Sequence, residues 1–256
     1  MSAKKETLGK TIGVVVAVCL VCSIIVSGSA VGLRSLQETN AALDKKTNIL
    51  TAAGLIDLAS NNEQVAEVYS NRVEEKFIDI ATGQYVDEPF DDYDMYKAAN
   101  NPDYTVRVEN SNVGFQRRAT VASVYHIKDE NGNITRIVLP VHGSGLWDLM
   151  YGFLAVDNDG ETIRELIYYQ HKETPGLGGE VQNPDWQAKW DGKKLYDDSG
   201  DVAISVDKSI PDSRKQYAVD ALSGATLTSN GVENTLRYWA GENGYKSYLT
   251  NQSWKS

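Results

Sequence analysis

Val121-Ala-Ser-Val-Tyr-His-Ile127 and Ile134-Thr-Arg-Ile-Val-Leu-Pro-Val141 are two apolar runs rich in β-branched residues, separated by Lys128-Asp-Glu-Asn-Gly-Asn133. Runs of this length around a polar, glycine-containing turn predict a β-hairpin. The pattern repeats downstream, where Gly152–Val156 and Ile163–Tyr169 flank Asp157-Asn-Asp-Gly160. Val202–Val206 reads as a shorter strand after the polar turn at 197–200. Strands are expected from Thr105 onward. Helical spacing returns over Ser229–Tyr248 through Val232, Leu236, Trp239 and Ala240, with Ser229 or Asn230 as the cap. The fold class is α+β, a twisted and mainly antiparallel sheet with flanking helices.

Upstream of the sheet the pattern is helical. Leu36, Leu43, Leu50 and Leu55 fit one face with one slip, and a further helix covers Asn61–Val73, started by Asn61 or Asn62. Residues 34–75 are therefore expected to form a helical stalk, and 76–256 the main domain. The acidic stretch Asp87–Asp94 reads as a solvated loop, because its spacing matches no calcium loop.

No residue between Lys10 and Arg34 is charged, and Ile12–Leu33 is apolar enough to cross a bilayer as a helix. Lys4, Lys5 and Lys10 precede this span and only Arg34 follows it closely. That bias predicts a cytoplasmic N-terminus over residues 1–11, a transmembrane helix over 12–33, and the rest of the chain outside the cytoplasm. The apolar run exceeds the core of a usual cleaved signal, which argues for a retained anchor. The two cysteines, Cys19 and Cys22, both fall in this run, so the remainder holds no disulfide and no thiolate-bound cluster of its own.

With 25 basic and 35 acidic residues the net charge is −10, which gives no broad attraction for nucleic acid. The three histidines, His126, His142 and His171, have no metal-ligand spacing, and no metal site is expected. Nucleophile elbow, P-loop and dinucleotide fingerprint are all missing, so no catalytic residue is assigned.

Three segments stand apart from scaffold. Asp220-Ala-Leu-Ser-Gly-Ala-Thr226-Leu-Thr228-Ser229 places small residues at Ser223, Gly224 and Ala225 just ahead of a helix, where free N–H groups and the dipole favour a phosphate. Composition alone also suits a plain Ser/Thr capping stretch. In His171-Lys-Glu-Thr-Pro-Gly-Leu-Gly-Gly-Glu180, four of the six residues from Thr174 to Gly179 are glycine or proline, as in a backbone that lets a planar ligand approach or in a long hairpin turn. His142-Gly-Ser-Gly-Leu-Trp147-Asp puts an aromatic in a glycine-rich turn, either to stack on a flat ring or to enter the core.

Asp220-x-x-Ser223-Gly224-Ala225-Thr226 resembles the flavinylation motif of FMN-binding domains, D-x-x-[ST]-G-A-T. With the single N-terminal span, the G-S-G-L-W-D segment and the H-K-E-T-P-G-L-G-G-E loop, the whole chain is similar to the C-subunit family of bacterial Na+-translocating NADH:quinone oxidoreductases. The motif alone is shared by G-type subunits of Rnf electron-transport complexes, a second reading; an anchored extracytoplasmic binding or scaffold domain is a third. The resemblance implies FMN joined by a phosphoester to Thr226, placed there by a flavin transferase that reads Asp220 and Ser223. It implies a loop of Glu173, Thr174, Gly176, Leu177 and Gly178 around the flavin. Gly145, Leu146 and Trp147 are added on chemical grounds, as are Gly224, Ala225 and Thr228. Backbone N–H groups aimed at the ring would stabilise negative charge as an electron arrives. The implied setting is the bacterial inner membrane, with a periplasmic domain and the other subunits of the complex as partners. NADH oxidation is expected in another subunit.

Overall fold

The structure is a computed structural model and describes residues 8–109 and 112–255. It divides into two compact units, Met1–Lys45 and Lys46–Ser256. The described residues of the first unit, from Leu8 onward, belong to helix α1 (Leu8–Ala52). Among the described residues this is the one helix long and apolar enough to cross a membrane, and none of its apolar window is buried. Lys4 and Lys5, on which the charge bias partly rests, lie outside the described residues, as does most of the segment expected to be cytoplasmic.

The second unit is built on a six-stranded antiparallel sheet. After α2 (Asn62–Arg72) come β1 (Val73–Asp79) and β2 (Tyr85–Val86), then the short helix α3 (Met95–Ala98). A separate pair, β3 (Thr105–Arg107) and β4 (Arg117–Ala119), precedes β5 (Val121–Lys128), β6 (Ile134–Ser144), β7 (Leu149–Asp157) and β8 (Ile163–Gln170). The sheet order is β2-β1-β5-β6-β7-β8. Helix α4 (Pro184–Gln187) leads to a parallel pair, β9 (Ser205–Asp207) and β10 (Ala218–Asp220), followed by α5 (Thr226–Trp239) and α6 (Lys246–Asn251).

Both sheet faces are buried, which explains why the strands read as continuous apolar runs rather than as alternating ones. Ile137, Leu139, Leu154 and Leu166 point into the larger core with Val232, Leu236 and Trp239 of α5. Val138, Phe153, Ala155 and Ile167 point the other way and are covered by Ile49, Ala52 and Ala53. Each large apolar side chain among them contributes about 1.5–3 kcal/mol by leaving water.

Three expectations are corrected. First, the stalk predicted over 34–75 divides at Lys46, because Ile49, Ala52 and Ala53 are needed to cover Tyr125, Val138 and Phe153. Second, β1 was hidden in the sequence, since Glu74, Glu75 and Lys76 break its apolar pattern; all seven of its residues pair with β5. Third, α5 starts at Thr226 rather than Ser229 and ends at Trp239, with the predicted continuation resuming as α6. The chain turns between them at Gly241–Gly244, where a Cβ on Gly244 would collide with the Trp239 backbone, and the Trp239 and Tyr245 rings stack 5.1 Å apart. The strand predicted over 202–206 is observed at Ser205–Asp207.

Helix α5 lies close on β6. A Cβ on Gly231 would strike the Ser144 carbonyl, and the Trp239 indole donates to the His142 carbonyl at 2.8 Å. This approach carries the helix N-terminus to the turn that follows β6.

Two strand histidines are buried without charge. Burial draws the His126 pKa down to about 4 and that of His142 to about 3. His126 Nε2 lies 2.7 Å from the Tyr248 hydroxyl. His142 sits among Tyr96, Phe115 and Tyr151, and its Nδ1 has no hydrogen-bond partner among the described residues. The unfolded chain protonates both near pH ~6.5, so the unfolded state binds more protons below that value. Stability is therefore complete above pH ~6.5 and falls as the pH drops toward 4. His142→Phe, which suits the aromatic site, should remain folded and remove about one proton's worth of that slope, ~1.4 kcal/mol per pH unit. Urea midpoints measured between pH 4 and 7 check this; an unchanged slope would mean that His142 is protonated in the fold.

Candidate functional site

The three segments singled out in the sequence converge on one carboxylate. Glu173 follows β8 and is only 5% exposed. Its Oε1 accepts hydrogen bonds from the backbone N–H groups of Leu146 (2.9 Å) and Trp147 (3.0 Å), in the turn between β6 and β7. Its Oε2 accepts from the Thr228 hydroxyl in the first turn of α5. A Cβ on Gly178 would collide with both the Glu173 carboxylate and Thr228 Oγ1, so glycine there makes room for the junction. The Leu146 and Trp147 N–H groups are thus turned inward, toward the carboxylate.

Two tight turns face each other above this junction. Thr174-Pro-Gly-Leu177 closes through Leu177 N–H to Thr174 O at 3.1 Å, with Gly176 at φ +74°. Leu222-Ser-Gly-Ala225 closes through Ala225 N–H to Leu222 O at 3.2 Å, with Gly224 at φ +72°. Both place glycine at the third position, where the left-handed conformation is required, and proline suits the second position of the first turn.

Between the turns lies a cleft of about 220 Å³ lined by Leu146, Glu173, Thr174, Leu177, Gly178 and the run 224–228. Leu146, Leu177 and Leu227 wall it and are exposed. Trp147 stands at the rim, 67% exposed, with its indole N–H donating to Thr174 Oγ1 at 3.3 Å. Single exposed apolar residues are ordinary, but four grouped at one cleft mark a binding surface for something apolar.

The polar end of the cleft is the start of α5. No side chain caps this helix, and its hydrogen-bond ladder begins with Ser229 N–H to Ala225 O at 3.0 Å. The first N–H groups and the positive end of the dipole are left for an anion. Thr226 is the first helical residue and is exposed. Thr228 and Ser229 are each 1% exposed, with their hydroxyls bonded inside the protein. An apolar slot beside an uncapped helix start with one outward hydroxyl suits a flat ring carrying a phosphate.

Of the residues named from sequence, Leu146, Glu173, Thr174, Leu177, Gly178, Gly224, Ala225, Thr226 and Thr228 come together here. Gly145, Trp147, Gly176 and Ser223 support the cleft or its rim without lining it. Asp220 ends β10, where its carboxylate pairs with Lys189 at 3.0 Å and its carbonyl accepts from the Trp186 indole at 2.8 Å. Leu227 and Ser229 were missed as site residues because the helix start was placed too late; an apolar residue directly after the motif threonine was the available signal for Leu227. Lys172 is paired with Asp148 and holds that carboxyl below its ordinary pKa.

Glu173→Ala leaves two buried N–H groups and a hydroxyl unpaired and should cost about 3 kcal/mol. Glu173→Gln should cost under about 1 kcal/mol, because the amide accepts at one end and donates to Thr228 at the other. Urea titration of the full-length chain in detergent, read by tryptophan fluorescence, tests this pair. A loss under about 1 kcal/mol in the alanine variant as well would remove the carboxylate from its clamping role.

Residues 145–241 match the FMN-binding domain family. The chain is 42% identical to the C subunit of the Na(+)-translocating NADH-quinone reductase of Yersinia pestis, over 95% of this chain and 92% of that one. It is 45% identical to the same-named protein of Neisseria meningitidis, over 96% and 94%. Among solved structures, Shewanella oneidensis NqrC superposes with a TM-score of 0.77 at 31% identity, covering 83% of this chain and 98% of that one. The corresponding protein of Parabacteroides distasonis gives 0.66 at 28% identity, covering 85% and 97%. These likenesses extend well past the segment 220–226, across nearly the whole sequence. The chain belongs to the C-subunit family of the Na+-translocating NADH-quinone reductases.

Proposed function

We propose that this chain is the FMN-carrying electron-transfer subunit of the membrane complex that couples NADH oxidation and quinone reduction to Na+ export, with the FMN held as a phosphoester on Thr226. The names of the relatives and the FMN-binding domain support the role. The attachment point rests on one observation: in the motif segment, Thr226 joins an outward hydroxyl to the uncapped start of a helix. Attachment is a group transfer without redox change. The Thr226 oxygen bonds to the phosphorus of the FMN half of FAD, the anhydride bond breaks, AMP leaves, and the hydroxyl proton passes to a base of the flavin transferase.

Once bound, FMN supplies reversible electron acceptance and donation. The chain's own residues set its surroundings. The helix N-terminus would receive the phosphate, Leu146, Leu177 and Leu227 would flank one side of the ring without enclosing it, and Glu173 keeps the walls in register. No nicotinamide fingerprint is present, so NADH is oxidised on another subunit of the complex. Ile12–Leu33 anchors the chain in the bacterial inner membrane, with the N-terminus cytoplasmic and the flavin-bearing unit Lys46–Ser256 in the periplasm, where a covalent bond prevents loss of the cofactor.

Thr226→Ala should abolish covalent flavin and change stability by no more than about 0.5 kcal/mol, because the side chain is exposed. Thr226→Ser keeps the hydroxyl and should retain part of the flavin. Chains co-expressed with a flavin transferase are read by fluorescence in a denaturing gel and by the mass of the tryptic peptide Gln216–Arg237. A fluorescent alanine variant would move the linkage to another residue, and a dark wild-type band would end the flavoprotein reading.

A further inference from the structure

Ser229 is in the first turns of α5 but does not behave as a helix-surface serine. It is 1% exposed, and its hydroxyl makes two backbone hydrogen bonds, one to the Leu222 N–H ahead of the helix and one to the Ala225 carbonyl, which also accepts the first ladder bond from the Ser229 N–H. Ser229 Oγ accepts from the Leu222 N–H at 3.0 Å and donates to the Ala225 carbonyl at 3.0 Å. Leu222 and Ala225 are the two ends of the turn that precedes Thr226. That turn has only one hydrogen bond of its own, Ala225 N–H to Leu222 O, and Gly224 at its third position is free of side-chain restraint. One buried side chain, anchored a turn further along the helix, therefore closes both ends of the segment that presents the acceptor.

The other candidate acceptor hydroxyls are withdrawn from chemistry. Thr228 Oγ1 is turned into the Glu173 carboxylate, and Ser229 Oγ is committed in both directions. Ser223 is exposed but lies within the turn, ahead of the helix start. The fold thus singles out Thr226 among the hydroxyls that follow Gly224.

We propose that Ser229 is a positioning residue for flavin attachment: its hydroxyl locks the Leu222–Ala225 turn and so aims Thr226 Oγ1 at the phosphorus of FAD in a flavin transferase. This rests on the assignment of the phosphoester to Thr226. Ser229 touches neither FAD nor the reacting atoms; the bond formed is Thr226 oxygen to phosphorus, the bond broken is the anhydride, and AMP and a proton are released. Orientation of the reacting atoms governs the rate of the bound complex, whereas Asp220 and Ser223, left intact, govern recognition of the chain. Loss of the clamp therefore lowers kcat more than it raises KM.

The test uses the full-length chain in detergent, a purified flavin transferase and excess FAD. Initial rates come from in-gel flavin fluorescence over a range of chain concentrations, and amide hydrogen exchange reports the Leu222 N–H. Ser229→Ala should lower kcat about tenfold or more and leave KM within about twofold, with the Leu222 amide losing protection. Ser229→Cys keeps the volume and weakens both bonds, so its kcat should fall between alanine and wild type. Near-ultraviolet circular dichroism verifies folding, and the cysteine variant decides the matter where the alanine variant does not fold. A wild-type kcat in the folded alanine variant, or in the cysteine variant with its Leu222 amide deprotected, would overturn the proposal, as would a loss expressed through KM alone. No flavin on the wild-type chain would overturn the Thr226 assignment itself, whereas equal rates in wild type and alanine variant would overturn only the role of Ser229.

Discussion

The Glu173 carboxylate holds the site together, because its two oxygens bind segments that are far apart in the chain: the 146–147 backbone and the Thr228 hydroxyl. An ionisable group buried this deeply is unfavourable unless its lone pairs are met by donors. Three donors meet them here. The junction dictates its neighbours in turn. Side chains at Gly145 or Gly178 would occupy the space of the carboxylate, so both positions are fixed as glycine by the same contact. The glycines of the 171–180 loop are therefore partly explained by a buried acid and not only by close approach of a ligand.

A second constraint fixes where the helix begins. An uncapped helix start is about 1 kcal/mol less stable than one with a Ser, Thr, Asp or Asn cap. Ala225 occupies the cap position of α5, although Ser223, Thr226, Thr228 and Ser229 are all nearby. Their hydroxyls are placed elsewhere, two inward and two outward, and the helix N–H groups stay available. The close approach of Gly231 to Ser144 then sets the helix end beside the β6–β7 turn. The local loss of stability is offset by α5 burying Val232, Leu236 and Trp239 against the sheet.

The sequence made the four long strands β5–β8 legible because both faces of the sheet are covered, so that apolar runs stood out between polar turns. It did not reveal β1, whose Glu74, Glu75 and Lys76 look like the surface of a helix although the strand pairs fully with β5. Nor did it reveal that Ile49, Ala52 and Ala53 belong with the sheet, since a helix face looks alike whether it covers its own domain or leads away from it. The motif segments were legible as unusual composition. Their meeting point was not, because a carboxylate that binds two backbone N–H groups leaves no signature in the residues that donate them. Ser229 was read as a helix cap for a sound local reason; the helix in fact starts three residues earlier, and the serine turns back to hold the preceding turn.

Charge bears on the proposed covalent bond at this site. The chain carries a net −10, and the lysines nearest the cleft in sequence, Lys172, Lys215 and Lys189, are paired with Asp148, Asp212 and Asp220. A phosphate on Thr226, as proposed, would meet helix N–H groups rather than an arginine or lysine clamp. Those dipoles are worth about 0.3–1 kcal/mol at an exposed helix end. Shallow apolar walls add area but leave the ring open to solvent and to a partner. A dissociable flavin with so little to hold it would spend much of its time free. The proposed ester to Thr226 would replace that equilibrium with a fixed local concentration, leaving the walls only to orient the ring. The same openness that weakens binding keeps the ring edge accessible, which a carrier passing electrons between subunits requires.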